Sequence, residues 1–182
     1  MTLSEVNAMD REQFVAALGW IFEDSPWVAR RAWDSRPFAS RPFASLDALH
    51  QAMTQQVESA AREEQLALLR AHPDLGARAR MSAASTREQG GAGLDQLTPE
   101  EFAELTALNQ TYRDKFGFPF LFAVKGSGKS AIMEALRRRA SADAEQELAE
   151  ALSQVCRIAW FRLETRLETA VNSENHSEED SR

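Results

Sequence analysis

The chain has 182 residues, 43% of them hydrophobic and 27% charged, with a formal net charge of -7 at pH 7. This length suits one domain with a sizeable core, and the acidic balance excludes nucleic acid or an anionic membrane surface as the main partner. A single cysteine, Cys156, excludes an internal disulfide and supplies no zinc-ligand spacing. No apolar run is long enough to span a bilayer. The start, Met1 to Val6, lacks the basic stretch and apolar run of a signal peptide, so a cytoplasmic location is expected.

Asp10 with Gln13 has capping-box spacing and opens a helix carrying Phe14, Leu18 and Ile21 on one face. Ser25-Pro26 reads as an N-cap followed by proline at the first helical position, starting a helix with Trp27 and Trp33. Arg36-Pro37-Phe38-Ala39-Ser40 is repeated at once as Arg41 to Ser45. The copy is too short for a structural repeat and reads as a duplicated loop, tolerated because loop closure depends only weakly on length.

Ser45 caps a helix striped with Leu49, Met53 and Val57, and another starts near Arg62 with Leu66 and Leu69. That helix ends at His72-Pro73, because proline disfavours helical geometry in the residue before it. Ser85 and Glu88 again have capping-box spacing, followed by Gly90, Gly91 and Gly93. Thr98-Pro99-Glu100-Glu101 is the clearest helix start, with a stripe of Phe102, Leu105, Asn109, Tyr112 and Phe116. Gly117 stops it. An apolar strip follows in which Phe116, Phe118, Phe120 and Phe122 alternate around Pro119, as in a half-buried extended segment. A short helix around Ile132 and Leu136 and a long one from about Asp143 to Val171 complete the pattern. No alternation of strands with helices is present. The expected fold is all-α: a single-domain helical bundle over residues 1–172 with an extended connector at about 116–124, then a polar, disordered tail over 173–182.

Several residues have two readings. Arg162 falls on the stripe of the last helix formed by Leu148, Leu152, Val155, Ala159, Leu163 and Leu167. A guanidinium facing a core needs a partner, either an internal carboxylate or a ligand. His72, at a helix end beside Pro73, is either a C-terminal cap or an acid/base poised near neutral pH. Glu88 either completes a cap or serves a site, and Gln89 beside it has no evident structural task. The aromatic strip is either a core plug or a segment whose backbone groups meet a ligand. Cys156 reads as an inert buried thiol. The three histidines show no metal-ligand spacing, so no metal site is expected. Ala123-Val124-Lys125-Gly126-Ser127-Gly128-Lys129-Ser130 fits a relaxed phosphate-loop pattern with Ala in place of the first Gly. Nothing downstream reads as a strand ending in Asp, and the competing reading is a Gly-Ser connector.

Together these words resemble one family. They are Ser25-Pro26-Trp27, His72-Pro73-Asp74-Leu75-Gly76, Ser85-x-x-Glu88-Gln89 with Ala92-Gly93-Leu94, Asn109-x-x-Tyr112, Lys115-Phe116-Gly117-Phe118-Pro119-Phe120, and Ile158-Ala159-x-x-Arg162-Leu163. The chain resembles the 2-oxo-4-hydroxy-4-carboxy-5-ureidoimidazoline (OHCU) decarboxylases, with the words in the family's order over most of its length. The tandem Arg-Pro-Phe-Ala-Ser copy departs from the family pattern and bears on loop length.

The resemblance implies an all-α homodimer that uses no cofactor and decarboxylates its substrate to (S)-allantoin, the last step from urate to allantoin. It implies His72, Glu88 and Arg162 as catalytic residues. It also implies that Pro73, Ser85, Gln89 and the backbone of Phe120, Leu121, Phe122, Ala123 and Val124 line the substrate pocket. The alternatives are a nucleotide-binding protein acting through residues 123–130 and a non-catalytic helical module with the strip as its interface.

Overall fold

Local capping fixes most helix starts. The computed structural model describes residues 1–35, 42–75, 93–94 and 97–168, and among these the chain is all-α, with no strand. The helices are α1 (Leu3–Ala8), α2 (Arg11–Leu18), α3 (Pro26–Asp34), α4 (Leu46–Glu58), α5 (Arg62–Ala71), α6 (Pro99–Phe116), α7 (Lys129–Arg139) and α8 (Ala144–Glu168). Asp10 and Thr98 form full capping boxes with Gln13 and Glu101, and the Ser45 hydroxyl accepts the Ala48 N–H at 3.1 Å. A further box, Thr2 with Glu5, starts α1, a helix that the sequence reading overlooked. Ser25 departs from expectation. It occupies the cap position of α3, but its side chain caps nothing. Asp24 before it holds a left-handed φ of 43°, Pro26 takes the first helical position, and the Ser25 carbonyl accepts the Val28 N–H at 3.1 Å.

The chain divides into two compact units, Met1–Ala61 with the chain from Ile158 onward, and Arg62–Arg157. In the first, α2 packs on α3 and α3 on α4. The core here includes Val6, Phe14, Leu18, Ile21, Phe22, Val28, Leu49, Met53, Val57, Ala159 and Leu163. Phe14 sits between the rings of Trp33 and Phe43, with centroids 5.4 and 6.0 Å away. Asn7 and Phe43 exchange two hydrogen bonds: Asn7 Nδ2 donates to the Phe43 carbonyl at 3.0 Å, and the Phe43 N–H donates to Asn7 Oδ1 at 2.7 Å. Residues 36–41, with most of the tandem copy, and the tail at 173–182 lie outside the described residues.

In the second unit, α6 packs on α7. α6 ends at Gly117, whose φ of 76° suits a residue without Cβ. The α6 stripe is narrower than expected. Leu105, Asn109 and Tyr112 are buried, but Phe102 is 51% exposed, because it lies in the first turn, ahead of the packed part of the helix. The strip after Gly117 does not alternate either. Phe118, Phe120, Leu121, Ala123 and Val124 are all buried, so residues of both parities are enclosed. On α8, Ala151 takes the fully buried position beside a half-buried Leu152, and Cys156 is half-exposed, not buried. The helix drifts past its apolar face at that point.

Candidate functional site

α5 ends at Ala71, and His72 follows it, 6% exposed. Its backbone N–H donates to the Leu69 carbonyl at 3.3 Å. Its Nδ1 lies 2.9 Å from the carbonyl oxygen of Leu68. A carbonyl has no proton to give, so Nδ1 carries the N–H, and the lone pair of the neutral ring is on Nε2. The cap reading of His72 therefore describes one ring nitrogen and leaves the acid/base reading to the other.

The segment after His72 is fastened by α6. Asn109 Nδ2 donates to the Leu75 carbonyl at 2.9 Å, and Arg113, one turn on, pairs with the Asp74 carboxylate. Asn109 Oδ1 is buried without a hydrogen-bond partner. A cavity of about 210 Å³ opens here, lined by Asp74, Leu75, Phe102, Leu105, Asn109 and Arg113 among others. Arg70 Nε donates to the Gly117 carbonyl at 2.8 Å. The His72 end of α5 is thus tied to the start of the aromatic strip.

The strip is held from the other direction by a buried ionic cluster. Arg139 Nη1 donates to the Leu121 carbonyl at 2.8 Å and its Nε to Glu147 Oε1 at 2.9 Å. The guanidinium carbon stands 4.7 Å from the centroid of the Phe120 ring. Arg139 and Glu147 are 5% and 1% exposed, and deleting one partner of such a pair costs about 3–5 kcal/mol. Glu147 also accepts the Tyr112 hydroxyl. Burial, and then the Glu147 hydrogen bond and charge, push the Tyr112 phenol well above its ordinary range. Gln154 on α8 accepts the Ala123 N–H at 2.8 Å.

In the first unit, Arg162 is 4% exposed and does face a core. Its Nη2 donates to Glu23 Oε2 at 2.9 Å and its Nη1 to the Ile21 carbonyl at 3.2 Å. The internal-carboxylate reading of Arg162 is thereby realised. Two paired nitrogens fix the plane of the guanidinium, and it has five N–H donors to place.

Within the second unit the link between His72 and the strip runs through Arg70, two residues before His72, which bonds the Gly117 carbonyl, three residues before Phe120. Ser85, Glu88 and Gln89 lie outside the described residues. Sequence reasoning missed Asn109, Arg139, Glu147 and Gln154 as supports. Only the first carried a signal, as a polar residue on an apolar stripe. The phosphate-loop reading fails on its surroundings: Gly128 and Lys129 open α7 directly, no strand precedes them among the described residues, and Lys129 Nζ is 2.7 Å from Glu101 Oε2. No group of three or more His, Cys, Asp or Glu suited to a metal ion occurs among the described residues. None of their helices is long and apolar enough to cross a membrane.

An all-α chain with a histidine oriented at a helix end and an irregular apolar strip fastened by buried side chains has the makings of a small helical enzyme, not of a nucleotide-binding α/β protein. The OHCU decarboxylase model matches residues 7–164. The chain is 46% identical over 164 residues to 2-oxo-4-hydroxy-4-carboxy-5-ureidoimidazoline decarboxylase of Halalkalicoccus jeotgali, covering 90% of each chain. It is 48% identical over 166 residues to the enzyme of the same name from Haloferax volcanii, covering 91% of this chain and 96% of that one. Among solved structures it resembles (S)-allantoin synthase with a TM-score of 0.77 and 30% identity, over 92% of this chain and 54% of that one. The protein belongs to the OHCU decarboxylase family and is a carboxy-lyase by kind.

Proposed function

We propose that this protein decarboxylates 2-oxo-4-hydroxy-4-carboxy-5-ureidoimidazoline to (S)-allantoin without a cofactor. The family match from residue 7 to residue 164 carries the reading. The bond broken joins the ring carbon to its carboxylate. The electron pair moves into the conjugated C=N of the ring, carbon dioxide leaves, and a proton added to one face of the planar intermediate sets the (S) centre.

His72 is the acid/base in this reading. Its Nδ1–H is anchored on Leu68, so Nε2 is the atom that exchanges a proton with the substrate. Glu88 assists His72 or a substrate N–H, and Ser85, Gln89 and Pro73 contact the substrate. Arg162 supplies a pre-oriented guanidinium for a carboxylate or ureido oxygen. Backbone groups in Phe120 to Val124 bond the ligand's polar edge, and the surrounding phenylalanines exclude water. The active species is a homodimer, which light scattering on the purified protein tests, and it works in the cytoplasm, which fractionation of cells that express it tests.

The substrate is generated fresh from urate with urate oxidase and hydroxyisourate hydrolase, and its decay is followed by ultraviolet absorbance and by circular dichroism of the product. Rapid decay to optically pure (S)-allantoin, slowed at least about a hundredfold in His72→Asn, is the expected result. A folded protein that leaves the spontaneous decay unchanged overturns the reading. A His72→Asn variant within about tenfold of wild type removes His72 from its role.

A further inference from the structure

The strip has no regular secondary structure between Pro119 and Val124, so no helix or sheet ladder sets its backbone. Two side chains do so instead. Arg139 on α7 holds the carbonyl of Leu121 at 2.8 Å, and Gln154 on α8 holds the N–H of Ala123 at 2.8 Å. Each holder has its own anchor. Arg139 is fixed by the buried Glu147, and Gln154 Nε2 donates to Glu150 Oε1 at 2.8 Å. Among the described residues no hydrogen bond reaches the backbone N–H or C=O of Phe120 or Phe122, the neighbours of the two fastened residues.

A buried backbone leaves few polar groups unused, and donors or acceptors aimed at a ligand act only when held within about 0.5 Å of the productive position. Fastening the Leu121 carbonyl and the Ala123 N–H fixes the two peptide groups on either side of Phe122 and takes up neither the N–H nor the C=O of Phe122 itself. Gln154 is half-exposed on a long helix, so its bond to the strip adds nothing that α8 itself requires.

We propose that Gln154 and Arg139 are positioning residues for the decarboxylation: by fastening Ala123 and Leu121 they set the register at which the backbone of Phe120 and Phe122 meets the ureido edge of the substrate. This rests on the decarboxylase reading above. Gln154→Met removes the acceptor at nearly constant volume. Gln154→Glu combined with Glu150→Gln exchanges the pair and preserves both hydrogen bonds.

Steady-state kinetics and product chirality are measured on fresh substrate, with thermal melting as the check on folding. Gln154→Met melts close to wild type, loses at least about tenfold in kcat/KM through KM, and yields allantoin of lower optical purity, as misplacement near the reacting groups predicts. The exchanged pair returns kcat/KM to within about threefold of wild type. For Arg139 the variant is Arg139→Lys, which keeps the charge and loses the planar fork; it shows the same KM rise and loss of chirality. An active wild type with a Gln154→Met variant unchanged in kcat/KM and optical purity overturns the proposal alone. So does an exchanged pair as impaired as Gln154→Met. An inactive wild type overturns the decarboxylase reading, and the proposal with it.

Discussion

Arg162 and Glu23 form a buried ion pair at 2.9 Å, with side chains 3% and 11% exposed. Such a pair adds little net stability but is costly to break, since the remaining charge keeps its desolvation penalty. Glu23→Ala is expected to cost about 3–5 kcal/mol in urea unfolding. Under the proposed function, Glu23→Gln, which keeps the shape and removes the charge, raises KM more than it lowers kcat, because the guanidinium loses its fixed plane. A Glu23→Ala variant as stable as wild type contradicts the burial of this pair.

Tyr112 is the single tyrosine of the chain, so its ionisation can be read directly by ultraviolet difference absorbance. Its folded-state pKa is raised, first by burial and then by Glu147. The associated stability is therefore complete below the unfolded tyrosine value of about 10 and is lost as pH rises beyond it toward the folded value. Tyrosinate absorbance should appear together with alkaline unfolding followed by circular dichroism. A separate phenolic titration in a fully folded protein contradicts the Tyr112–Glu147 contact.

Asn109 reaches Leu75, three residues beyond His72, and no other hydrogen bond to that carbonyl occurs among the described residues. Asn109→Ala should lower stability by about 1–2 kcal/mol and lower kcat, because the His72 segment loses its tether. Arg113→Met, which removes an exposed pair, should change stability by less than about 1 kcal/mol. Unfolding curves and kcat for the two variants decide. Equal and small effects on kcat exclude a tethering role for Asn109.

Among the described residues, four surface carboxylates have depressed pKa values, each chiefly through a hydrogen-bonded cation: Asp34 with Arg11, Glu101 with Lys129, Glu104 with Arg137 and Glu145 with Arg62. The unfolded chain binds protons on these groups at higher pH than the folded one. Their contribution is present above the unfolded carboxylate range of about 4 and fades as pH falls through the lower folded values. Stability measured against pH should decline in that acid window, and each Glu→Gln variant should flatten the slope slightly. A slope unchanged in Glu104→Gln dismisses that pair.

What the sequence made legible was local. The Asp10–Gln13 and Thr98–Glu101 boxes, the stop at Gly117 and the core-facing Arg162 all follow from residues within a turn or two of one another. Thr2–Glu5 carries the same signature, at the start of a helix of only six residues, too short for an apolar stripe to announce it. The exposure of Phe102 and Cys156 and the two-sided burial of the strip depend on which elements pack against them, and helical spacing does not encode that. The clamp on the strip is least legible. Arg139 and Glu147 lie on different helices across a turn, and Gln154 is 31 positions from Ala123, so neither distance nor partner could be read in advance. Ser85, Glu88 and Gln89 rest on the family words alone.

The reciprocal bonds of Asn7 with Phe43 bear on how the connection ahead of α4 can be altered. They moor the polypeptide just after the second Arg-Pro of the tandem copy, while before the first Gln56 Nε2 on α4 donates to the Ser35 hydroxyl at 3.1 Å. With both ends moored, α3 and α4 are held by bonds made outside residues 36–41. Doubling such a connection costs only about 0.6 kcal/mol in closure entropy. An epitope or dye-labelling peptide inserted here is therefore expected to leave the melting temperature close to that of wild type.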